Sequence, residues 1–143
     1  VSHINFADCL LLNDEVLLGF ASHKTLTSCD LSNCSNITHS AVVKLLSLCT
    51  LQALSLKNCA INEECLNSLG NNTCLRILDL SGCKLSSLSA LCKLKNIESL
   101  YLANCGISSD KQVISMLHNM PQLLVLSLKD SKITDTTVYE LCR

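Results

Sequence analysis

Cysteine and histidine are the residues of this chain whose side chains are best suited to chemistry. The 143 residues include eleven cysteines and four histidines. Cysteine can form disulfides, ligate zinc or act as a nucleophile. However, the cysteine number is odd, no Cys-x-x-Cys pair occurs, and the short Cys/His spacings of zinc sites are missing. The sequence therefore predicts no metal and no cofactor.

The spacing of the cysteines gives a different explanation for them. Cys9, Cys34, Cys59, Cys83 and Cys105 recur at intervals of 25, 25, 24 and 22 residues. Aligned on them, the chain contains six copies of the pattern L-x-x-L-x-L-x-x-C, which start at residues 1, 26, 51, 75, 97 and 123. All eighteen residues at repeat positions 1, 4 and 6 are apolar, and the sixth copy has serine at position 9. The sequence thus predicts a repeat architecture.

This pattern resembles the leucine-rich repeat, whose period is about 20–29 residues and whose ninth position is asparagine or cysteine. Most copies are similar to the cysteine-containing subclass found in F-box ubiquitin-ligase receptors, in which C-x-x-I-T-D precedes a helix. Residues 34–38 (C-S-N-I-T) and 131–135 (S-K-I-T-D) are the closest instances. The fourth copy has leucine every three residues from 85 to 94 and resembles a shorter type with a 3₁₀ segment.

The resemblance implies an α/β leucine-rich-repeat solenoid, a curved right-handed βα superhelix with a parallel sheet on its concave face and helices on its convex face. The residues support this independently, because apolar side chains after position 9 follow helical spacing. Helix-capping residue types precede them at Asn13, Thr38, Asn62 and Thr134. We expect residues 1–143 to be a single domain and a fragment of a longer array, with flanking domains or subunits that cap its ends.

Position 9 points into the turn after each strand, so we expect its cysteines to be buried, reduced and inert. Reduced cysteines favour an intracellular location, in the cytoplasm or nucleus. Three Asn-x-Ser/Thr sequons, at Asn33, Asn36 and Asn71, leave an extracellular recognition domain as the alternative. A structural subunit of a cytoskeletal or ciliary assembly is the third possibility.

Positions 3, 5, 7 and 8 of each repeat are predicted to face the concave side, and they hold the candidate binding residues. Four aspartates and two lysines make this surface mildly acidic, and Tyr101 is its one aromatic residue. Tyrosine is a common anchor of protein interfaces. Ile77 and Val125, at position 3, are expected to pack at the edge of the core. The predicted protein-binding residues are Asp30, Lys57, Asp79, Tyr101, Lys129 and Asp130.

Enzymatic function is not supported by the remaining motifs. His3 with Asp8 or Asp30 is the one plausible acid–base neighbourhood, but the residues strongly favour a solvated surface histidine among polar strand residues. The motifs of phosphate-binding loops, serine hydrolases and zinc proteases do not occur. We therefore predict no catalytic residue, and a scaffold that binds protein partners.

Composition excludes several other classes of protein. Hydrophobic residues make up 48% of the chain and charged residues 16%, which is too apolar for a disordered segment. The net charge of −1 and the 3% aromatic content argue against nucleic-acid binding. No apolar run reaches the roughly 18 residues that a membrane span needs.

Overall fold

The computed structural model describes residues 1–142, and it is an α/β leucine-rich-repeat solenoid. Strands and helices alternate along the chain, with one short 3₁₀ helix (η1) in the fourth repeat. The elements are β1 (His3–Asn5), α1 (Asp14–Ala21), β2 (Ser28–Asp30), α2 (His39–Leu48), β3 (Ala53–Ser55), α3 (Glu63–Gly70), β4 (Ile77–Asp79), η1 (Leu91–Lys93), β5 (Ser99–Tyr101), α4 (Asp110–His118), β6 (Val125–Ser127) and α5 (Asp135–Leu141).

The six strands form one parallel sheet in the order β1-β2-β3-β4-β5-β6. Each strand occupies positions 3 to 5 of its repeat, and each pairs with the same positions of the next repeat. The six-repeat alignment is therefore confirmed in register. Hydrogen bonding continues past the strands, since the position-6 N–H of one repeat donates to the position-5 carbonyl of the next, as Leu31 does to Ser55 at 2.9 Å.

The core lies between the sheet and the helices. Leucines at positions 1, 4 and 6 of the central repeats are 0–2% exposed, among them Leu51, Leu54 and Leu56. Cys29 replaces one of these leucines and is 2% exposed. The first five repeats contribute to a single cluster of buried residues, and the partly buried Leu123, Leu126 and Leu128 of the sixth repeat pack against it, so neighbouring repeats cover one another's apolar sides.

The helix starts agree with the predicted capping residues. Asn13, Thr38, Asn62 and Thr134 are the N-caps of α1, α2, α3 and α5, and each side chain accepts a hydrogen bond from a backbone N–H of the first turn. Ser109 caps α4 in the same way and was not predicted. The expected 3₁₀ segment of the fourth repeat is confirmed as η1.

Position 8 has a structural role that the repeat pattern alone did not reveal. Its residue has a positive φ in all six repeats, between 54° and 75°. This left-handed conformation favours Gly, Asn and Asp, and those are the types present. They are Asp8, Asn33, Asn58, Gly82, Asn104 and Asp130. Their side chains also interact, since Asn58 donates to Asn33, and Asn33 to Asp8, each at 2.8 Å.

Candidate functional site

The strand register arranges the outward side chains in rows across the concave face, by which we mean the side of the sheet that bears positions 3 and 5. Adjacent parallel strands lie about 4.8 Å apart, so each row member has a neighbour at that spacing. In the position-5 row, Asp79 on β4 lies between its two direct neighbours, Ser55 on β3 and Tyr101 on β5. The full row is Asn5, Asp30, Ser55, Asp79, Tyr101 and Ser127.

A hollow of about 450 Å³ opens on this face between β2 and β5. It exists because Ser28, Ala53 and Ser55 are small, whereas Ile77 and Tyr101 on the next strands are large. The hollow brings together four of the six predicted binding residues, on four neighbouring repeats. These four are Asp30, Lys57, Asp79 and Tyr101.

The two aspartates of the hollow are held in fixed orientations by hydrogen bonds from the residue two positions later in the chain. Asp79 Oδ1 accepts a hydrogen bond from the Ser81 N–H at 2.8 Å. Asp30 Oδ1 accepts one from the Ser32 N–H at 2.9 Å and another from the Ser32 hydroxyl. These bonds hold each carboxylate at the surface of the hollow, so that little side-chain entropy is lost when a ligand binds there.

Lys129 and Asp130 do not line the hollow. Both are exposed and lie beyond β6, at positions 7 and 8 of the sixth repeat. Asp130 is a left-handed turn residue with φ of 60°. Their part in binding therefore remains a prediction, separate from that of the four residues in the hollow.

The prediction that Ile77 and Val125 pack at the edge of the core is wrong. Ile77 is 45% exposed and Val125 is 43% exposed. Both begin their strands at position 3, and successive side chains of a strand point to opposite faces. Since position 4 faces the core, position 3 must face solvent, and Ile77 becomes an apolar wall of the hollow.

Sequence reasoning missed the floor of the hollow. The sequence prediction relied on charged and aromatic side chains, and the floor consists of small, uncharged residues. These are Ser28, Ala53 and Ser55. A signal was nevertheless present, because small residues occupy outward positions in consecutive repeats and large ones follow. Size along a row of the sheet is thus a better guide to a cavity than residue chemistry alone.

The position-9 cysteines form a ladder of buried thiols. In four repeats the thiol donates to the position-6 carbonyl of the preceding repeat, each at 3.1 Å. The pairs are Cys34 with Phe6, Cys59 with Leu31, Cys83 with Leu56, and Cys105 with Leu80. These four thiols join neighbouring repeats, and Cys59 among them is only half-buried. The remaining position-9 cysteine, Cys9 in the edge repeat, is exposed.

Burial keeps the interior thiols protonated. Desolvation raises the pKa of Cys29, Cys65 and Cys83 to about 12, and it raises the pKa of Cys105 as well. A nucleophilic cysteine needs the opposite, an exposed site that lowers its thiol pKa. All eleven cysteines are free thiols in the structure.

The predicted acid–base neighbourhood around His3 does not form. His3 Nδ1 lies 2.7 Å from the Ser2 hydroxyl, and no bond joins His3 to Asp8 or Asp30. Among residues 1–142, no three His, Cys, Asp or Glu side chains lie close enough together to hold a metal ion. In the same part of the chain, no helix has the length and hydropathy to cross a membrane.

Two further hollows, of about 610 and 600 Å³, lie on the convex face on either side of α4. One separates α4 from α5, and the other separates α4 from η1. The second arises because η1 has three residues where other repeats have a helix of seven to ten. None of the six predicted binding residues lines either hollow.

Both ends of the sheet expose apolar side chains. Val1 and Leu11 are 83% and 91% exposed near β1. Leu124, next to β6, is 81% exposed, and Tyr139 on α5 is 73% exposed. The residues equivalent to Val1 in the central repeats, Leu26, Leu51 and Leu75, are buried by the neighbouring repeat.

Comparison with known proteins agrees with this fold. Residues 75–113 match the family described as "Leucine Rich repeats (2 copies)". Over 108 residues, or 74% of this chain, the sequence is 32% identical to a Trypanosoma equiperdum protein named "Putative adenylate cyclase regulatory protein". Internalin C2 of Listeria monocytogenes superposes on 82% of this chain with a TM-score of 0.63 and 24% identity. The chain spans 17% of the first relative's length and 48% of the second's.

Proposed function

We propose that this leucine-rich-repeat solenoid is a non-enzymatic protein-interaction module that holds a partner mainly on its concave face. The observation that carries the proposal is the hollow lined by Asp30, Lys57, Asp79 and Tyr101. Its combination of one aromatic ring, fixed carboxylates and apolar Ile77 is typical of a protein-binding surface. Lys129 and Asp130 extend the proposed surface toward β6.

The way in which the reactive residues are used supports the proposal of a non-enzymatic role. The interior thiols are hydrogen-bonded and carry raised pKa values, and His3 has no acidic partner. Leucine-rich-repeat proteins are in general non-catalytic binding scaffolds, and the leucine-rich-repeat fold of this chain supports the same role for it.

A matched pair of substitutions tests which face binds. Ser55→Tyr fills the hollow, and the fold should tolerate it because Tyr101 occupies the same repeat position on β5. Ser115→Tyr makes the same change on the exposed convex side of α4. The full-length parent protein and both variants would be affinity-purified from cells that express it, and the captured proteins compared by mass spectrometry.

We expect Ser55→Tyr to lose one set of captured proteins that Ser115→Tyr retains. Ser127→Tyr, at position 5 of β6 and outside the hollow, then shows whether the surface reaches Lys129. Loss with Ser115→Tyr and retention with Ser55→Tyr would place binding on the convex face and refute the proposal. Circular dichroism would check that each variant is folded.

A narrower form of the proposal is that the module recognises substrates for a ubiquitin ligase. It is supported by the resemblance of most repeats to the cysteine-containing subclass. Ubiquitin-ligase subunits should then co-purify with the wild type and persist in Ser55→Tyr, while substrates are lost. If no such subunits are captured, the general binding role stands and this form of it fails.

We further propose an intracellular location and flanking elements that cap both ends. Eleven free thiols favour a reducing compartment, and exposed Val1, Leu11 and Leu124 mark end faces that a neighbouring element would cover. The alternative of a secreted domain is supported by the exposed sequons at Asn36 and Asn71, although the Asn36 amide already donates to the Leu10 carbonyl. Thiol counting under denaturing conditions separates the two, because secretion would leave clearly fewer than eleven.

A further inference from the structure

The carboxylates of the concave hollow have no basic partner. Arg76 and Glu98 form an ion pair at 3.6 Å, but neither residue lines the hollow. Lys57 lies at the hollow without forming a salt bridge to Asp30 or Asp79. The lining thus contains two carboxylates and one ammonium group, a formal charge of −1 that a single added cation would balance.

The position and orientation of Asp79 suit such a cation. Its Oδ1 is bonded to the Ser81 N–H, while its Oδ2 makes no hydrogen bond within the described chain. Tyr101 is its direct neighbour on β5, about 4.8 Å away by strand spacing, and is half-buried. A cation at this place can pair with Oδ2 and lie against the phenol ring.

Resting on the proposed function, we infer that the partner inserts a basic side chain, arginine in preference to lysine, between Asp79 and Tyr101. The planar guanidinium both stacks on an aromatic ring and donates several hydrogen bonds, whereas an ammonium group does neither as well. The small residues Ala53 and Ser55 leave room for a long side chain to enter from above the sheet. Ile77 contacts its aliphatic part.

Asp79→Asn removes the charge without disturbing the turn. Asn5 occupies the equivalent position of the first repeat, and its Oδ1 accepts the Ala7 N–H at the same distance of 2.8 Å. An asparagine at position 79 can therefore keep the bond to Ser81. Asp135→Asn, on the exposed first turn of α5, is the matched control.

The experiment selects random 12-residue displayed peptides against the full chain and measures the affinity of the winners by fluorescence anisotropy. We expect peptides that Ser55→Tyr weakens to share an arginine. Asp79→Asn, or replacement of that arginine by uncharged citrulline, should weaken binding at least about tenfold, as for one charged hydrogen bond. Asp135→Asn should leave affinity unchanged.

The other outcomes separate this inference from the proposed function. Peptides that Ser55→Tyr weakens but that contain no basic residue, or that ignore Asp79→Asn, would overturn the inference and leave concave-face binding intact. Selection of acidic peptides that depend on Lys57 would do the same. A selection that yields no peptide sensitive to Ser55→Tyr would overturn both.

Discussion

Replacing the buried thiol Cys83 by alanine tests whether the cysteine ladder is structural. Cys83 is fully buried, and its thiol donates to the Leu56 carbonyl at 3.1 Å. That carbonyl also accepts the Cys59 N–H at 2.9 Å, so Cys83→Ala leaves no buried polar group without a partner. The cost should therefore come from lost burial and from the cavity alone.

The expected magnitude can be worked out from these two contributions. Removing a buried group about the size of one CH₂ costs about 0.8 kcal/mol. A cavity on the order of 25 Å³ adds about 0.6 kcal/mol at about 24 cal/mol per Å³. Cys83→Ala should thus lower the free energy of unfolding by about 1.4 kcal/mol, or about tenfold in the unfolding equilibrium.

Urea unfolding followed by circular dichroism measures this loss, with Cys9→Ala as the control. Cys9 holds the same repeat position but is exposed in the edge repeat, so its replacement should cost less than about 0.5 kcal/mol. Equal costs for the two variants would refute the structural reading of the ladder. So would a Cys83→Ala protein that keeps its stability but loses its captured partners.

Three further outcomes follow from the same structure. With iodoacetamide at pH 8, we expect exposed Cys9 to react and Cys65 to be strongly protected, because Cys65 is buried and its burial raises the thiol pKa to about 12. Mass spectrometry of the labelled native protein measures both. Hydrogen bonds from Thr137 and Thr134 lower the pKa of the Asp110 carboxyl below its ordinary value of 3.8. The stability that this carboxylate gives the protein is therefore complete above that pH and is lost on acidification. We expect Asp110→Asn to flatten the loss of thermal stability below pH 4. If the chain is routed through a secretory pathway, a glycan should appear at exposed Asn71 and not at Asn33, whose amide is bonded to Asp8, as peptide mapping would show.

The architecture was predictable because the core imposes it at every repeat. Positions 1, 4 and 6 must be apolar in each unit, and this constraint recurs six times, so chance agreement is small. Capping residues were predictable for the same kind of reason, since Asn13 and Thr38 satisfy backbone N–H groups that any helix start leaves open. The 3₁₀ helix η1 followed from leucines at every third position.

The binding surface was predictable only in part, because nothing in the fold constrains outward positions to a pattern. Asp79 and Tyr101 were chosen by residue type, and the register then placed them side by side. The hollow itself depends on the small size of Ala53 and Ser55 relative to their neighbours. A prediction from charged and aromatic residue types does not take this difference in size into account. The error at Ile77 had a different source, since strict alternation along the strand already required it to face solvent.

Most of the side chains with reactive or polar groups form hydrogen bonds that stabilise the fold. The thiol of Cys83 donates to a carbonyl of the preceding repeat, and the side chain of Asn58 donates to that of Asn33. Asp79 Oδ1 accepts a hydrogen bond from the Ser81 N–H of the turn, and this bond fixes the carboxylate and so the position of Oδ2. The candidate binding groups of this solenoid are therefore the polar atoms that make no hydrogen bond within or between its repeats. Beside the one aromatic ring of the concave face, the Oδ2 of Asp79 makes no hydrogen bond within the described chain, and we propose that a partner gains most by contacting this pair.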